Sequence, residues 1–188
     1  IQNVASVAGN LCNASPAADG VPVLMVLDAE VELRSLRGTR HLPLPEFILG
    51  NRRTALRPDE MVTAVRVPRS ATGGRSAFVK LGARRYLVIS IAMAAARVTL
   101  AADGTIGTAA VAVGACSAVA QRLRALEAEL SGRRPDEIER IVAQMALNEL
   151  SPIDDVRGSA DYRGVAAREI VARALLAAAD DPSRRVAA

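Results

Sequence analysis

The sequence has almost no aromatic residues. Tryptophan is absent and aromatic residues make up only 2% of the 188 positions, so the chain offers no stacking platform for the bases of a single-stranded nucleic acid. The net charge of +4 and the pI of about 9.8 would otherwise suggest such a partner. Because the basic residues are scattered along the chain, we interpret them as a solvated, arginine-rich surface and expect no nucleic-acid partner.

Cysteine and histidine are also scarce. The two cysteines, Cys12 and Cys116, lie far apart and form no CxxC pair, so the sequence supports neither a disulfide framework nor a zinc or iron–sulfur site. They fit a reducing environment, and we expect a cytoplasmic protein. The single histidine, His41, lies in the alternating run TRHLPL, where an exposed strand position is a better interpretation than a catalytic triad.

Long hydrophobic runs are missing as well. No apolar stretch approaches the ~20 residues that a membrane-spanning helix requires, and the first residues, IQNVASVAGN, lack the layout of a signal peptide. We expect the sequence to begin inside a fold. Hydrophobic residues nevertheless make up 51% of the chain, which predicts a globular protein with one core or two small cores.

Lysine occurs once, at Lys80, among 24 basic residues. An ammonium group differs from a guanidinium group in size and donor geometry, so a lone lysine in an arginine-rich chain is a candidate for a role that needs a compact point charge. Chance survival of one lysine explains the composition equally well.

The first part of the sequence predicts short helices followed by strands. Ser15-Pro16 is typical of an N-cap followed by proline in the first helical turn, and Pro22 interrupts or restarts this helix before the buried segment VPVLMVLDA. The segments EVELRS and TRHLP predict a hairpin, and LPEFILG predicts a helical turn. Two further strands, joined by the turn RPDE, are expected at Thr54–Leu56 and Met61–Val67.

The second part predicts three strands and then three helices. The expected strands are Ser76–Leu81, Ile89–Leu100 and Ile106–Cys116. The expected helices begin after Ser117, at Pro135 and after Ser159. This order gives an α+β chain, with an antiparallel sheet and flanking helices followed by a small antiparallel sheet packed with a three-helix C-terminal bundle. The loop RSATGGR predicts a boundary between two domains, residues 1–72 and 73–188.

The stretch from residue 6 to residue 20, SVAGNLCNASPAADG, is rich in small and polar residues. Ala8 and Gly9 would let the backbone approach a bulky anion, and free amides in such a turn and after Ser15 would point positive charge outward. Polar groups suited to a sugar or phosphate are those of Asn10, Asn13, Ser15 and Asp19. The stretch is a candidate cradle for a nucleotide. A small-residue turn packed under a helix, with its polar groups bonded locally, is the alternative.

The same stretch resembles the second flavin-binding motif of the FAD subunits of molybdenum hydroxylases, the family of xanthine dehydrogenase and bacterial carbon monoxide dehydrogenase. That motif runs Thr/Ser-Ile-Gly-Gly-Asn, then a small polar stretch, then Ser-Pro and Asp. The segments RTALRPDEMVTAVRVP, SAFVKLGARR and PIDDVRGSADYR are similar to further motifs of the family, in the same order. The resemblance covers almost the whole chain, and several colinear motifs are more specific than one.

The resemblance implies an FAD-binding electron-transfer subunit or domain. It would accept electrons from iron–sulfur clusters that serve a molybdenum cofactor and pass them to an acceptor such as NAD or a quinone. Its partners would be the iron–sulfur subunit and the molybdopterin subunit of the same complex. By their positions in the family motifs, the residues implied at the FAD are Ser6, Ala8, Gly9, Asn10, Asn13, Asp19, Leu56 and Lys80. The resemblance implies no catalytic side chain and no metal ligand, because the flavin ring itself carries the electrons.

Two departures from the family pattern matter. Ala8 stands where the family usually has its first glycine, and its methyl group narrows the approach to the backbone. The family's first flavin motif, a glycine-rich turn of the Ala-Gly-Gly-Thr type, does not occur in the sequence. We therefore expect the chain to hold half of a flavin site and, by itself, to bind FAD weakly or not at all.

A non-catalytic assembly module of the same complex, without flavin binding, is the alternative function. The segment PIDDVRGSADYR has two interpretations of its own. It predicts ion pairs among Asp154, Asp155 and Arg157 ahead of a helix capped by Ser159, and it is equally compatible with a surface that docks a partner subunit.

Overall fold

The computed structural model describes residues 5–180, and within them the chain forms six α-helices and nine strands. The helices are α1 (Val7–Asn13), α2 (Gly20–Val26), α3 (Leu44–Phe47), α4 (Arg124–Leu130), α5 (Ile138–Gln144) and α6 (Ala160–Ala179). The strands are β1 (Glu30–Ser35), β2 (Gly38–Pro43), β3 (Ile48–Gly50), β4 (Arg53–Thr54), β5 (Met61–Arg66), β6 (Arg75–Leu81), β7 (Ala92–Leu100), β8 (Ile106–Gly114) and β9 (Gln121–Arg122). The predicted α+β class is confirmed. The outer ends of the two predicted domains, residues 1–4 and 181–188, lie outside the described residues.

A small antiparallel sheet with the strand order β2-β1-β5 forms in the first part of the chain. Its β1–β2 hairpin is the predicted one, and the buried side chains of Val31 and Leu33 alternate with more exposed ones. The two strands that flank the turn RPDE do not pair with each other. Strand β5 pairs with β1, where Val62 and Val65 lie opposite Leu33 and Val31, because those positions continue the apolar face of the sheet. Strand β4 pairs with β3 instead.

A second antiparallel sheet, with the strand order β6-β7-β8-β9, lies at the centre of the molecule. The segment AMAAARVTL places alanine on both faces of β7. On one face, Ala92, Ala94 and Ala96 belong to the hydrophobic core that includes α4, α5 and α6. On the other face, Ala95 belongs to the core that includes α2. Small side chains on both faces let helices pack closely on each side of the sheet. The sheet therefore joins the two hydrophobic cores.

The C-terminal helices cover one face of this sheet, as the predicted architecture requires. Helix α6 packs across β6 and β7, α4 packs on β8, and α5 packs between α4 and α6. The predicted start of the first of these helices at Ser117 is wrong. The Ser117 hydroxyl donates to the Cys116 carbonyl and accepts a hydrogen bond from the Ser151 amide, so it caps no helix. The following residues form β9 before α4 begins at Arg124.

Helix α2 covers the opposite face of the same sheet. A Cβ atom built at Gly114 of β8 would lie 2.3 Å from the Met93 Cε atom and 3.3 Å from the Pro22 Cγ atom. A larger residue there would require the flexible Met93 side chain to move where β8 passes beneath α2. Pro22 is the third residue of α2, where its missing N–H needs no intrahelical partner. The helix begins at Gly20, two residues before the proline that was expected to interrupt or restart it.

Candidate functional site

The segment that begins at Ser6 forms helix α1 and not an amide-rich bend. Ser6 is the N-cap: its Oγ atom accepts a hydrogen bond from the Gly9 amide at 3.0 Å, and its carbonyl oxygen accepts one from the Asn10 amide at 3.0 Å. A serine in extended backbone before small residues is a favourable N-cap. The predicted open turn at Ala8 and Gly9 is therefore wrong, because two of the amides it would have exposed are used within the helix.

The predicted helix start at Ser15 is wrong for a related reason. Helix α1 ends at Asn13, its C-cap Ala14 has a left-handed φ of 46°, and α2 does not begin until Gly20. Between them the Ser15 hydroxyl accepts a hydrogen bond from the Ala17 amide at 3.3 Å, and its carbonyl oxygen accepts one from Ala18 at 3.0 Å. These bonds form a turn, which leaves too few residues for a helix.

Two asparagines of the motif attach α1 to its neighbours. The Asn10 Oδ1 atom accepts a hydrogen bond from the Gly20 amide at 3.3 Å, at the start of α2, and the Asn10 NH₂ group takes no part in that bond. The Asn13 Oδ1 atom accepts a hydrogen bond from the Arg52 Nη1 atom at 2.5 Å. A Cβ atom at Gly20 would lie 2.8 Å from the Asn10 Oδ1 atom, so a larger residue there would disturb the contact.

The structure brings Asp19 and Lys80 together, although 61 residues separate them. The Lys80 Nζ atom donates to the Asp19 Oδ2 atom at 2.6 Å, and the Ser90 hydroxyl donates to the Asp19 Oδ1 atom at 2.6 Å. The Lys80 side chain is 28% exposed and that of Asp19 is 45% exposed. One proton of the ammonium group makes this bond, so two further N–H groups of Lys80 remain as donors for a ligand.

The remaining predicted positions surround α1. Ala8 is half-buried and Gly9 is exposed, and a Cβ atom at Gly9 would lie 3.1 Å from the Ser6 Oγ atom. The half-buried Leu56 packs on the same hydrophobic cluster as Leu11 of α1. The structure thus links Asn10, Asp19 and Lys80 through the start of α2, whereas Asn13 and Leu56 make separate contacts.

The segment before Leu56 is held by a nearly buried carboxylate. Glu60, whose side chain is 4% exposed, binds the Arg40 guanidinium through two hydrogen bonds of 2.7 Å and accepts one from the Arg57 amide at 2.9 Å. The Arg40 guanidinium is the main cause that lowers the pKa of Glu60 to about 2, against the opposing effect of desolvation. Arg40 also donates to the Ala55 carbonyl at 2.7 Å, next to Leu56.

The segment PIDDVRGSADYR forms one of the predicted ion pairs and the predicted cap, whereas Asp154 accepts a hydrogen bond from the Ala160 amide at 2.6 Å. Asp155 pairs with Arg157 at 3.0 Å, and Ser159 caps α6 through the Tyr162 amide. The pKa of Asp155 is lowered, first by the hydrogen bond from the Arg157 amide and then by the Arg163 and Arg157 guanidinium groups. Arg163 itself is 3% exposed and donates to Asp155 at 2.5 Å.

The sequence predictions missed three residues that contact the candidate site or its supports: Ser90, Arg52 and Arg163. A lone serine inside the apolar run LVISIAMA is a signal that could have identified Ser90, because a buried hydroxyl needs a partner. Arg163 lies in a recognised motif, but its burial could not be read from the sequence. Nothing in the sequence distinguishes Arg52 from its neighbour Arg53.

The scarce residues of the sequence have defined positions in the described chain. His41 lies on β2 between Glu32 and Arg66, on the strand position expected for it. Cys12 and Cys116 are both free thiols, and burial raises the pKa of Cys116 to about 11. Among residues 5–180 there is no cluster of three or more potential metal ligands. None of the helices in this range is both long enough and apolar enough to cross a membrane.

Two family profiles match the sequence. Residues 1–70 match the FAD binding domain in molybdopterin dehydrogenase, and residues 77–178 match the CO dehydrogenase flavoprotein C-terminal domain. Together with the fold, these matches define an FAD-binding chain of the molybdenum hydroxylases. The chain belongs to the CO dehydrogenase flavoprotein family, which confirms the resemblance seen in the sequence motifs, and FAD is the cofactor of this family.

Individual relatives agree with this assignment. The 6-hydroxypseudooxynicotine dehydrogenase complex subunit alpha of Paenarthrobacter nicotinovorans is 33% identical over 178 residues, which cover 93% of this chain and 59% of that protein. The nicotinate dehydrogenase FAD-subunit of Eubacterium barkeri is 44% identical over 94 residues, which cover 48% of this chain and 32% of that protein.

A solved structure gives the same result. The reconstituted CO dehydrogenase from Oligotropha carboxidovorans matches with a TM-score of 0.84 and 28% identity, over 93% of this chain and 60% of that chain. The chain therefore spans no more than about 60% of the length of the relatives it matches.

Proposed function

We propose that this chain forms one side of an FAD site, with Asp19 and Lys80 as its polar centre. The observation that carries this proposal is the ion pair of 2.6 Å between residues distant in sequence, at a partly exposed position beside the motif helix α1. A carboxylate that accepts hydroxyl hydrogens and an ammonium group that donates to phosphate or carbonyl oxygens suit the polar parts of a flavin dinucleotide. The residues present therefore fit the cofactor.

The remaining contacts follow from the family motifs. Ser6, Gly9 and Asn10 would lie at the FAD phosphates and sugar, with Ala8 beside them. Asn13 would add a polar contact and Leu56 an apolar one. Since Ser6 and Asn10 also bond to the protein backbone, their side chains are held in place before a ligand arrives, which favours binding by reducing its entropic cost.

The proposed activity is electron transfer within a molybdenum hydroxylase complex. FAD supplies the redox chemistry when it is bound, and the chain binds and orients it. Electrons would arrive from iron–sulfur clusters and leave to an acceptor such as NAD or a quinone. The iron–sulfur and molybdopterin subunits would be the partners, which agrees with relatives whose names describe subunits of dehydrogenase complexes. The two free thiols are compatible with a cytoplasmic location.

We further propose a division of the chain near residue 72 into an FAD-site region and a C-terminal region, which the separate family matches to residues 1–70 and 77–178 support. The limited coverage of the relatives, about 60% or less of their length, supports the proposal that the site is shared with a segment of the family outside these 188 residues.

The FAD site is tested by titrating FAD into the natural polypeptide that contains this chain and following flavin fluorescence. Asp19→Asn and Lys80→Met are each expected to raise the dissociation constant about tenfold, the loss typical of a hydrogen bond to a charged group. The matched control is the exposed pair of Glu169 and Arg173 on α6, where Glu169→Gln and Arg173→Met should leave binding unchanged. Equal affinities for all four variants would contradict the proposed site and favour the assembly module.

A second prediction follows if the FAD site is shared with a segment outside these 188 residues. Residues 1–188 alone are expected to bind FAD weakly or not at all, because the family's glycine-rich first flavin motif is absent from them. Isothermal titration of this polypeptide with FAD measures the affinity directly. Stoichiometric yellow flavin that stays with the purified 188 residues through gel filtration would contradict the prediction.

A further inference from the structure

We propose that Arg163 and Ser90 are positioning residues that hold the Asp19–Lys80 pair in the geometry that binds FAD. This inference rests on the proposed FAD site and adds to it two residues outside the family's flavin motifs. It also gives the segment PIDDVRGSADYR a role: part of the segment supports the site from behind the central sheet.

The first step is the anchoring of Ile91 by Arg163. The Arg163 Nη1 atom donates to the Ile91 carbonyl at 2.5 Å and to the Ala115 carbonyl at 2.9 Å, and the Nη2 atom donates to the Asp155 Oδ1 atom at 2.5 Å. With 3% of the residue exposed, these bonds form in a region of low dielectric, where they are strong. The planar guanidinium fork satisfies two carbonyl oxygens and a carboxylate at once, which one ammonium group cannot match in geometry.

The second step is the position of Ser90, which directly precedes Ile91. The Ile91 amide also donates to the Leu81 carbonyl at 2.8 Å, so the peptide on each side of Ile91 is fixed, one to the end of β6 and the other to α6. Ser90 is 1% exposed, and its hydroxyl points to Asp19 at 2.6 Å. The backbone at Ile91 therefore determines where this hydroxyl lies.

The third step is the effect on the ion pair. Ser90 occupies the Asp19 Oδ1 atom, which leaves Oδ2 oriented toward Lys80. Without the serine the carboxylate could rotate, and the long lysine side chain would regain rotamer freedom that FAD binding must then remove. The residues from 82 to 90 have no regular secondary structure, and Tyr86 and Leu87 among them are exposed, so this connection depends on its end anchors.

The experiment is a double-mutant cycle on FAD affinity in the natural polypeptide that contains this chain. Ser90→Ala removes one oxygen atom and is expected to raise the FAD dissociation constant about fivefold. Arg163→Lys keeps the charge but not the fork and is expected to have a similar or larger effect. In an Asp19→Ala background both effects should shrink to less than about twofold, since no carboxylate is left to position.

A urea unfolding curve for each variant separates positioning from general destabilisation. The control is Ser35→Ala, which removes a hydroxyl bonded to the Arg37 amide in the β1–β2 turn and should leave FAD affinity unchanged. If Asp19→Ala leaves FAD affinity unchanged, the proposed FAD site fails. If Asp19→Ala weakens binding but Ser90→Ala does not, or if the Arg163→Lys effect persists in the Asp19→Ala background, the positioning role is overturned and the FAD site stands.

Discussion

Buried and half-buried arginines hold irregular parts of the chain in place. Three of these arginines donate hydrogen bonds to backbone carbonyl groups: Arg163 to Ile91 and Ala115, Arg122 to Met25, and Arg40 to Ala55. Each of the three guanidinium groups also forms an ion pair with a carboxylate. Five N–H groups in a fixed fork allow one side chain to satisfy several acceptors. An exchange of arginine for lysine at such positions keeps the charge but loses the fixed fork that reaches these acceptors together. Lys80, by contrast, makes one short hydrogen bond to Asp19. A need for a compact point charge was one of the two explanations that the sequence offered for its single lysine.

The pair of Glu60 and Arg40 makes stability depend on pH at the residue scale. The folded-state pKa of Glu60 is about 2, below its ordinary value of 4.5, so this carboxylate stabilises the folded chain above pH 4.5. The contribution is lost as the pH falls from 4.5 to 2. Glu60→Gln should destabilise the protein at pH 7, and the difference from the natural sequence should narrow toward pH 2.

Urea unfolding at a series of pH values measures this difference. Other carboxylates also have lowered pKa values, namely Asp155, Glu32 and Glu137. The natural protein and the Glu60→Gln variant should therefore both lose stability in acid, and only the difference between their free energies of unfolding reports the contribution of Glu60. Asp59→Asn, at the neighbouring exposed pair with Arg37, is the control. A gap that stays constant from pH 7 to pH 2 would show that the charge of Glu60 does not stabilise the fold.

At the scale of elements, the contact between α2 and the β9–α4 connection depends on one buried arginine, Arg122. The Arg122 side chain is 7% exposed and binds Glu127 at 2.5 Å, Asp28 at 2.8 Å and the Met25 carbonyl at 2.8 Å. Arg122→Ala should destabilise the protein by about 3 kcal/mol, because it leaves a buried carboxylate without its main partner.

Arg124 provides a matched control for this prediction. It pairs with the same carboxylate of Glu127 at 3.2 Å, but its side chain is 66% exposed. Arg124→Ala should therefore cost less than about 1 kcal/mol. Both values come from urea unfolding at neutral pH, and similar costs for the two variants would show that burial does not determine the strength of these pairs.

Element boundaries show what the sequence could and could not predict. The β1–β2 hairpin and the central strands follow from alternation, and α6 follows from its Ser159 cap, because these signals are local. The helix predicted at Ser15 does not form, and the left-handed conformation of Ala14 just before it is marked by no local pattern. Strand β9 pairs with β8 over two residues, a tertiary contact that no local pattern marks. For the proposed site, the family motifs predicted Asp19 and Lys80, whereas Ser90 and Arg163 are connected to this pair by contacts between segments distant in sequence.

At the scale of the molecule, the first of the two regions matched by family profiles packs on the central sheet, whose strands β6 to β9 lie in the second part of the chain. Helix α2 belongs to the first region, and it packs on β7 and β8 of the second. The core around α2 includes Ala95, Ala110 and Ala112 from those strands. Because the Asp19–Lys80 pair also joins the two regions, any FAD site built on this pair requires both to be folded and packed together.

This arrangement predicts that the two regions unfold in a single transition. Separation would expose the apolar face of α2 and the alanines of the sheet, and would break the contacts of Arg122 with Met25 and Asp28, so a state with one region folded is expected to be rare. Hydrogen exchange followed by mass spectrometry at increasing urea should give the same midpoint for peptides from β1 and from β8. Arg122→Ala should lower both midpoints together, whereas Arg173→Met should move neither. Two separate midpoints in the natural sequence would contradict the prediction, and they would mean that the first region, with Asp19, can unfold while Lys80 stays in its sheet.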